Sequence, residues 1–326
     1  LNGTLYVALT SSGNIQGSAI NDASNWDALN VIQAQIEPDF NIALVKQLVY
    51  VVDFKQWSTE VFYDAANATG SPLGRVEGAK IDYGCASSDS VQRIDDAVLW
   101  LTANRSSLRQ VALMRGLKSE IVSTPAIDRL LSAWSLSTIW SWQAMLNGHK
   151  WYGLTSKNSN MTLVYDLTTN MWSQWTDTNG NYLPIVSSTF VPDVAGANLT
   201  IVQHESDGYL YYFSLTDYQD VGGFNGLIPV DIYTPNFDGG TRRGKQLNMM
   251  YFNGDRVTGS TLQVRYNDFD YDSTKWSNFR YVDLGQETPM LEQEGTFTRR
   301  AYNFRHKANT FFRLSSVDLQ MDLCTL

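Results

Sequence analysis

The chain has 326 residues, and at roughly 150 residues per domain that is room for about two domains or one large all-β domain. Charged residues make up 17% and aromatic residues 13%, a balance that excludes a disordered chain and favours strands, where flat rings pack on pleated faces. A formal net charge of −9, from 33 acidic and 24 basic residues, argues against a protein that coats duplex nucleic acid.

In chain order, four stretches read as meanders of alternating strands joined by short polar turns. The first runs Ile42–Val45, Leu48–Phe54 and Trp57–Tyr63. The second runs Val91–Ile94, Ala97–Thr102 and Leu108–Met114, with Asp95-Asp96 at a turn. The third runs Ile139–Leu146, His149–Thr155, Thr162–Asp166 and Met171–Thr176. Its first turn is Asn147-Gly148, the strongest short hairpin signal. The fourth runs Pro184–Phe190, Leu199–His204 and Tyr209–Leu215. Their second strands recur at about 50 to 60 residues, the spacing of propeller blades. Residues 1–225 therefore read as β-propeller blades of about 50 residues each.

One short helix interrupts the strands. Ser123-Thr124-Pro125 offers a hydroxyl cap before a proline at the first helical position. Ile127, Leu130, Leu131 and Trp134 then form an apolar stripe, and Asp128 suits the positive end of the helix dipole. This helix is expected to pack on a blade or on a neighbouring subunit.

The Gly-, Asn- and Asp-rich segment 217–244 reads as loops. Beyond it come longer strands: Lys245–Asn253, Gln263–Asn267, Trp276–Leu284, Thr296–Arg305 and Thr310–Gln320. Residues 226–326 read as a separate C-terminal β-module, a sandwich or small barrel. No run reaches the ~18 apolar residues that cross a bilayer as a helix, so no membrane insertion is expected. The chain opens at Leu1 in strand-like sequence without a signal-peptide pattern, as if it began inside a longer protein.

Candidate chemistry is sparse. Cys85 and Cys324 give no disulfide framework or zinc pattern and read as two buried free thiols. The histidines, His149, His204 and His306, show no metal-ligand spacing. The alternating acids Asp268, Asp270 and Asp272 suggest calcium. However, Ser273 and Phe279 stand where a calcium loop wants Gly and Glu, so a solvated turn is the better reading. The same turn resembles the Asp-box of sialidase-type propellers, itself a structural turn. No spacing among the acids selects a glycosidase pair. No nucleophile elbow and no phosphate loop occurs, and no cofactor is expected. The stretch from Tyr165-Asp166 to Trp172 and Trp175 looks like a kelch-type hairpin, whose tryptophans would fill the space between adjacent sheets. From Arg299 to Arg313 lie five cations and no acid: Arg299, Arg300, Arg305, Lys307 and Arg313. They read as a salt-linked interface, or alternatively as a wall touching DNA inside a ring.

The order of these features resembles the tail-hub or nozzle proteins of short-tailed bacteriophages, also called packaged-DNA stabilisation, head-completion or tail accessory proteins. The likeness is carried by Asn25-Trp26-Asp27-Ala28-Leu29-Asn30 with Pro38-Asp39, by Glu60-Val61-Phe62-Tyr63, and by Tyr83-Gly84-Cys85-Ala86. It continues through Val98-Leu99-Trp100-Leu101, Ile121 to Ile127, Gly148-His149-Lys150-Trp151-Tyr152, Val164-Tyr165-Asp166 and Met171-Trp172. Val264-Arg265-Tyr266, Trp276-Ser277-Asn278, Asp283-Leu284-Gly285 and Phe311-Phe312-Arg313-Leu314 extend it into the C-terminal module. Two departures stand out. Family members usually carry earlier strands that close the propeller, here cut away or supplied by another subunit. The late turn reads Asp-Ser-Thr where the family tends to have Asp-Gly-Gly.

The resemblance implies a non-enzymatic virion protein, made in the host cytoplasm. It would form a homo-oligomeric ring, usually of six copies, that extends and closes the DNA exit channel and supports ejection. Portal and adaptor proteins would sit above it and a needle, fibre or spike below, with transient contact to phage DNA. Two other readings stand beside it: a kelch-like or lectin-like binding propeller, and a sialidase-type glycosidase.

Overall fold

A computed structural model describes residues 1–324 except 11, 68, 193–197 and 271, with only the backbone described at Asn198. The run Ala97–Leu101 explains its architecture. A strand with one wet face alternates, yet all five of these residues are 0% exposed, because sheets cover both faces of the strand. Leu99 and Leu101 join the core on one side, Val98 and Trp100 the core on the other.

The chain divides into two units, residues 1–176 with 181–213 and residues 177–180 with 214–326. Among the described residues the first unit is a series of five antiparallel sheets in chain order, the blades of an all-β propeller. The first sheet holds β1 (Tyr6–Ala8), β2 (Asn14–Gly17) and β3 (Val31–Gln33). The second holds β4 (Asn41–Gln47), β5 (Tyr50–Lys55), β6 (Thr59–Asp64) and β7 (Leu73–Arg75). The third holds β8 (Gly84–Cys85), β9 (Gln92–Ile94), β10 (Ala97–Ala103), β11 (Val111–Arg115) and β12 (Lys118–Ile121), with β8 and β9 both paired to β10. The fourth holds β13 (Ile139–Leu146), β14 (His149–Ser156), β15 (Met161–Asp166) and β16 (Met171–Trp175). The fifth holds β17 (Ile185–Pro192), β18 (Asn198–His204) and β19 (Leu210–Tyr212).

The meander expectations locate the central strands of sheets two to five but miss the short outer strands β7, β8 and β12. The first sheet falls within the residues read as blades, but its individual strands carry no meander signal because they are only three or four residues long; Asn25–Asn30 lies in the connection between β2 and β3. The expected strand from Leu108 begins only at Val111. Before it, Asn104 Oδ1 accepts the Ser106 and Leu108 N–H groups and holds a loop. At the fourth sheet's hairpin, Asn147 (φ 50°) and Gly148 (φ 82°) both adopt left-handed backbone, the pair a two-residue turn between twisted strands requires.

The helix α1 spans Pro125–Ser132. Thr124 Oγ1 accepts the Ile127 N–H, and Ser123 Oγ donates to Asp128 at 2.5 Å. Ile127, Leu131 and Trp134 are buried between the third and fourth sheets, whereas Leu130 is 37% exposed, so the apolar stripe is narrower than its spacing suggested. Thr124→Ala is expected to cost about 1 kcal/mol, read as a lowered midpoint of urea unfolding.

The second unit contains the short pair β20 (Gln219–Asp220) and β21 (Gly226–Leu227). A four-stranded sheet joins β22 (Val230–Tyr233), β24 (Thr261–Asn267), β25 (Arg280–Asp283) and β27 (Ala301–His306). A three-stranded sheet joins β23 (Lys245–Gly254), β26 (Met290–Phe297) and β28 (Leu314–Leu323). Leu247, Met250, Phe252, Leu291 and Phe297 from the latter meet Leu262, Val264, Val282, Tyr302 and Phe304 from the former in one core, the arrangement of a sandwich. Segment 217–244 is thus not all loop. The expected strand Thr296–Arg305 is two strands, because the chain changes sheets at Thr298–Arg300. The expected strand from Trp276 begins at Arg280; Trp276 instead lies under the Arg265 guanidinium.

Candidate functional site

The β15–β16 hairpin joins three sheets. Asp166 ends β15 and accepts the Thr168 N–H at 2.8 Å and the Thr169 hydroxyl at 2.9 Å, while His149 Nδ1 lies 2.7 Å away. Burial acts to raise the Asp166 pKa, but the bonds from Thr168, His149 and Thr169 outweigh it, and the carboxyl sits below its ordinary value. Tyr165 donates its hydroxyl to Asn170 Oδ1 and packs against the Trp172 ring in a tilted pair, centroids 5.1 Å apart. On β16, residues 172 and 175 point to opposite faces. Trp172 donates its indole N–H to Val122 O beside the third sheet. Trp175 meets Trp142, Trp151 and Phe213, the last just beyond β19. The structure therefore brings Tyr165, Asp166, Trp172 and Trp175 together as a packing device.

Beside this hairpin a groove of about 770 Å³ runs past the turns of the third and fourth sheets, lined by Arg93, Asp95, His149, Lys150, Thr189 and Phe190 among others. Asp95 is the one acidic side chain lining it among the described residues, and Lys150 Nζ holds it at 2.5 Å. His149 is bound to Asp166 and stacked on Trp151. Cys85 is buried, and burial pushes its thiol up to about 11; Cys324 is free but only half-buried, contrary to expectation. Among the described residues no group of three or more His, Cys, Asp or Glu is placed to hold a metal, and no helix is long and apolar enough to cross a membrane.

The five C-terminal cations do not form one surface of free charge. Arg299 pairs with Asp270 at 3.0 Å, Arg305 with Asp231 at 2.8 Å and Arg313 with Asp255 at 2.9 Å. Lys307 Nζ donates to Thr178 O. Arg300 is the sharpest departure from the interface expectation: its side chain is 1% exposed, so it can face neither a partner nor DNA. Two bonds tie it to Asp268 and one to Glu294 O, with the rings of Tyr266 and Phe297 on its faces. The Asp-rich turn thus directs two of its carboxylates, still partly in solvent, to arginines. Tyr271 within that turn lies outside the described residues.

A second ionic group escaped the sequence reading. Asp39, Asp53, Lys55 and Glu60 are all buried between the first two sheets. The available signal was Asp53 and Lys55 alternating with Val52 and Phe54 on a strand that is buried on both faces.

Residues 2–184 match the family model described as bacteriophage P22 Gp10, beta-propeller. No curated protein matches the sequence. Solved structures with some likeness include the N-terminal domain of Nup159, at 9% identity and TM-score 0.35, over 64% of this chain and 62% of that one. A GH43 glycoside hydrolase engineered for endo-xylanase and exo-arabinofuranosidase activity matches at 10% and 0.30, over 99% and 96%. An exo-β-1,3-galactanase from Phanerochaete chrysosporium matches at 10% and 0.27, over 94% and 73%. TM-scores this low decide neither fold nor activity.

Proposed function

This chain belongs to the phage stabilisation family of P22 Gp10, the tail nozzle and stabilisation proteins of short-tailed phages, which places it in the virion, and from that premise we propose that it is a ring-forming structural subunit around the DNA exit channel. Its work in this reading is mechanical: to hold neighbours, extend and close the channel, stabilise packaged DNA and support its ejection. The resemblance supports a ring of about six copies between portal or adaptor proteins and a needle, fibre or spike. A net charge of −9 suits a channel that must not grip sliding DNA.

The observation that carries self-assembly is the condition of the two end sheets. Strands β1–β3 and β17–β19 contain no Asp, Glu, Lys or Arg. Exposed strand edges in proteins that stay monomeric are normally guarded by charge. In the fifth sheet, Ser188 and Thr200 bond to β13, which turns that face inward. The opposite face carries Ile201 beside Tyr212, and Leu210; Leu210 is 68% and Tyr212 61% exposed. Ser187, Thr189 and Gln203 share this face, so it is uncharged and mixed apolar and neutral-polar, a surface suited to burial by a partner sheet.

Sedimentation and electron microscopy of the purified protein test the reading. Rings are expected for the natural sequence, and Ile201→Lys with Tyr212→Lys should weaken assembly at least tenfold. A stable monomer that bound or cleaved glycans would overturn the proposal in favour of the lectin or glycosidase reading.

A further inference from the structure

The ionic group between the first two sheets holds three carboxyls, Asp39, Asp53 and Glu60, around the two cations Lys55 and Arg75. On β5, Val51, Asp53 and Lys55 share one face, and the register sets Asp53 opposite Glu60 on β6. Lys55 Nζ lies 2.8 Å from Asp39 and 3.4 Å from Glu60, and it donates to Glu37 O at 2.5 Å and Ala34 O at 3.2 Å. Glu60 accepts the Ile36 N–H at 3.0 Å, and Arg75 Nε lies 3.0 Å from its other oxygen. Arg75 also donates to Gln33 O on β3. Residues 33–37, which lead out of the first sheet, are therefore held by Lys55, Glu60 and Arg75.

Asp53 takes no part in these bonds. Its side chain is 0% exposed, and both of its oxygens lack a hydrogen-bond partner among the described residues. Fully ionised, the group would hold three carboxylates against the two cations Lys55 and Arg75. With Asp53 neutral the charges balance. Burial pushes the Asp53 carboxyl up to about 8; Lys55 opposes the shift, and Glu60 and Asp39 add to it. These are the charged groups that face it from β5, β6 and the segment before β4. The first sheet's strands carry one titratable residue, Tyr6, which lies by Asp64. Glu37 turns its own carboxylate away, to Lys80 and Arg105.

We propose that this buried group is a proton-controlled latch: loss of the Asp53 proton to solvent draws the Lys55 ammonium off the carbonyls of Ala34 and Glu37 and loosens the first sheet from the second. The ion pairs within the second sheet remain, so the change is local. The sign follows from linkage. A carboxyl that keeps its proton in the folded state from its ordinary value of 3.8 up to about 8 favours the closed form at the acid end, and that preference is lost as pH rises through the window. The latch is independent of ring formation.

Hydrogen exchange on the full chain, corrected for intrinsic rates, tests it. Protection of the amides in β1–β3 and 33–37 is expected to fall about tenfold or more between pH 6 and pH 9, while β13–β16 stays constant. Asp53→Asn, neutral at both values, should hold the first sheet closed throughout. Unchanged protection in the natural protein, or the same fall in Asp53→Asn, would overturn the latch. Carbon-13 NMR of labelled aspartate needs no variant: a buried carboxyl titrating near pH 8 is expected, and one that has fully ionised by pH 6 sinks the proposal.

Discussion

Arg300→Met should lower the stability of the second unit by about 3 kcal/mol, toward the lower end of what breaking a buried ion pair costs. The methionine keeps an unbranched apolar stem, so what is lost is the guanidinium, with both its hydrogen-bonding fork and its cation–π contacts on Tyr266 and Phe297. Without it, Asp268 and the Glu294 carbonyl lose three bonds of 2.7 to 2.8 Å. Asp268 keeps some contact with water, at 27% exposure, which moderates the penalty. Glu294 also feels the change. Burial raises its pKa and Arg280 and Arg300 oppose this, so removing Arg300 should raise it further. Urea unfolding of Arg300→Met, Asp268→Asn and the double variant gives the coupling between them. A coupling of about 1 kcal/mol or more is expected. Strict additivity would show that the pair contributes only through packing.

Gly84→Ala should destabilise the first unit by about 3 kcal/mol or more, beyond ordinary overpacking because the clash is with backbone. A Cβ there would stand 2.2 Å from Lys55 O, 2.5 Å from Gln56 C and 2.6 Å from Trp57 N. The glycine lies where the β5–β6 turn of the second sheet presses on the third. Retreat of its segment would strain the bond from Trp100 Nε1 to Gly84 O and the one from Thr59 Oγ1 to Tyr83 O. In a unit of this size the loss corresponds to a fall in Tm of roughly 6–12 °C. A fall under about 2 °C by calorimetry would mean that the turn at residues 55–57 yields freely.

Both predictions concern motifs visible in the chain whose reason was not. Tyr83-Gly84-Cys85-Ala86 is one of the stretches that carried the resemblance, yet only the approach of the neighbouring sheet shows why the second residue lacks a side chain. The run Arg299 to Arg313 was legible as a basic cluster. It dissolves into separate pairs because the partners lie in distant parts of the chain: Asp268 is 32 residues from Arg300, and Asp231 is 74 from Arg305. The tryptophans of the β15–β16 hairpin were legible as packing residues, and the structure adds the direction each one faces.

The sequence by itself determined the central strands of sheets two to five, the Asn147-Gly148 turn and the helix at Pro125, because these depend on backbone preferences and apolar spacing within a few residues. Tertiary structure alone decided which acid meets which arginine, which face of the fifth sheet is exposed, and that Asp53 has no hydrogen-bond partner among the described residues. Those outcomes depend on how sheets stack, and stacking brings together charges whose separation along the chain carries no local signal.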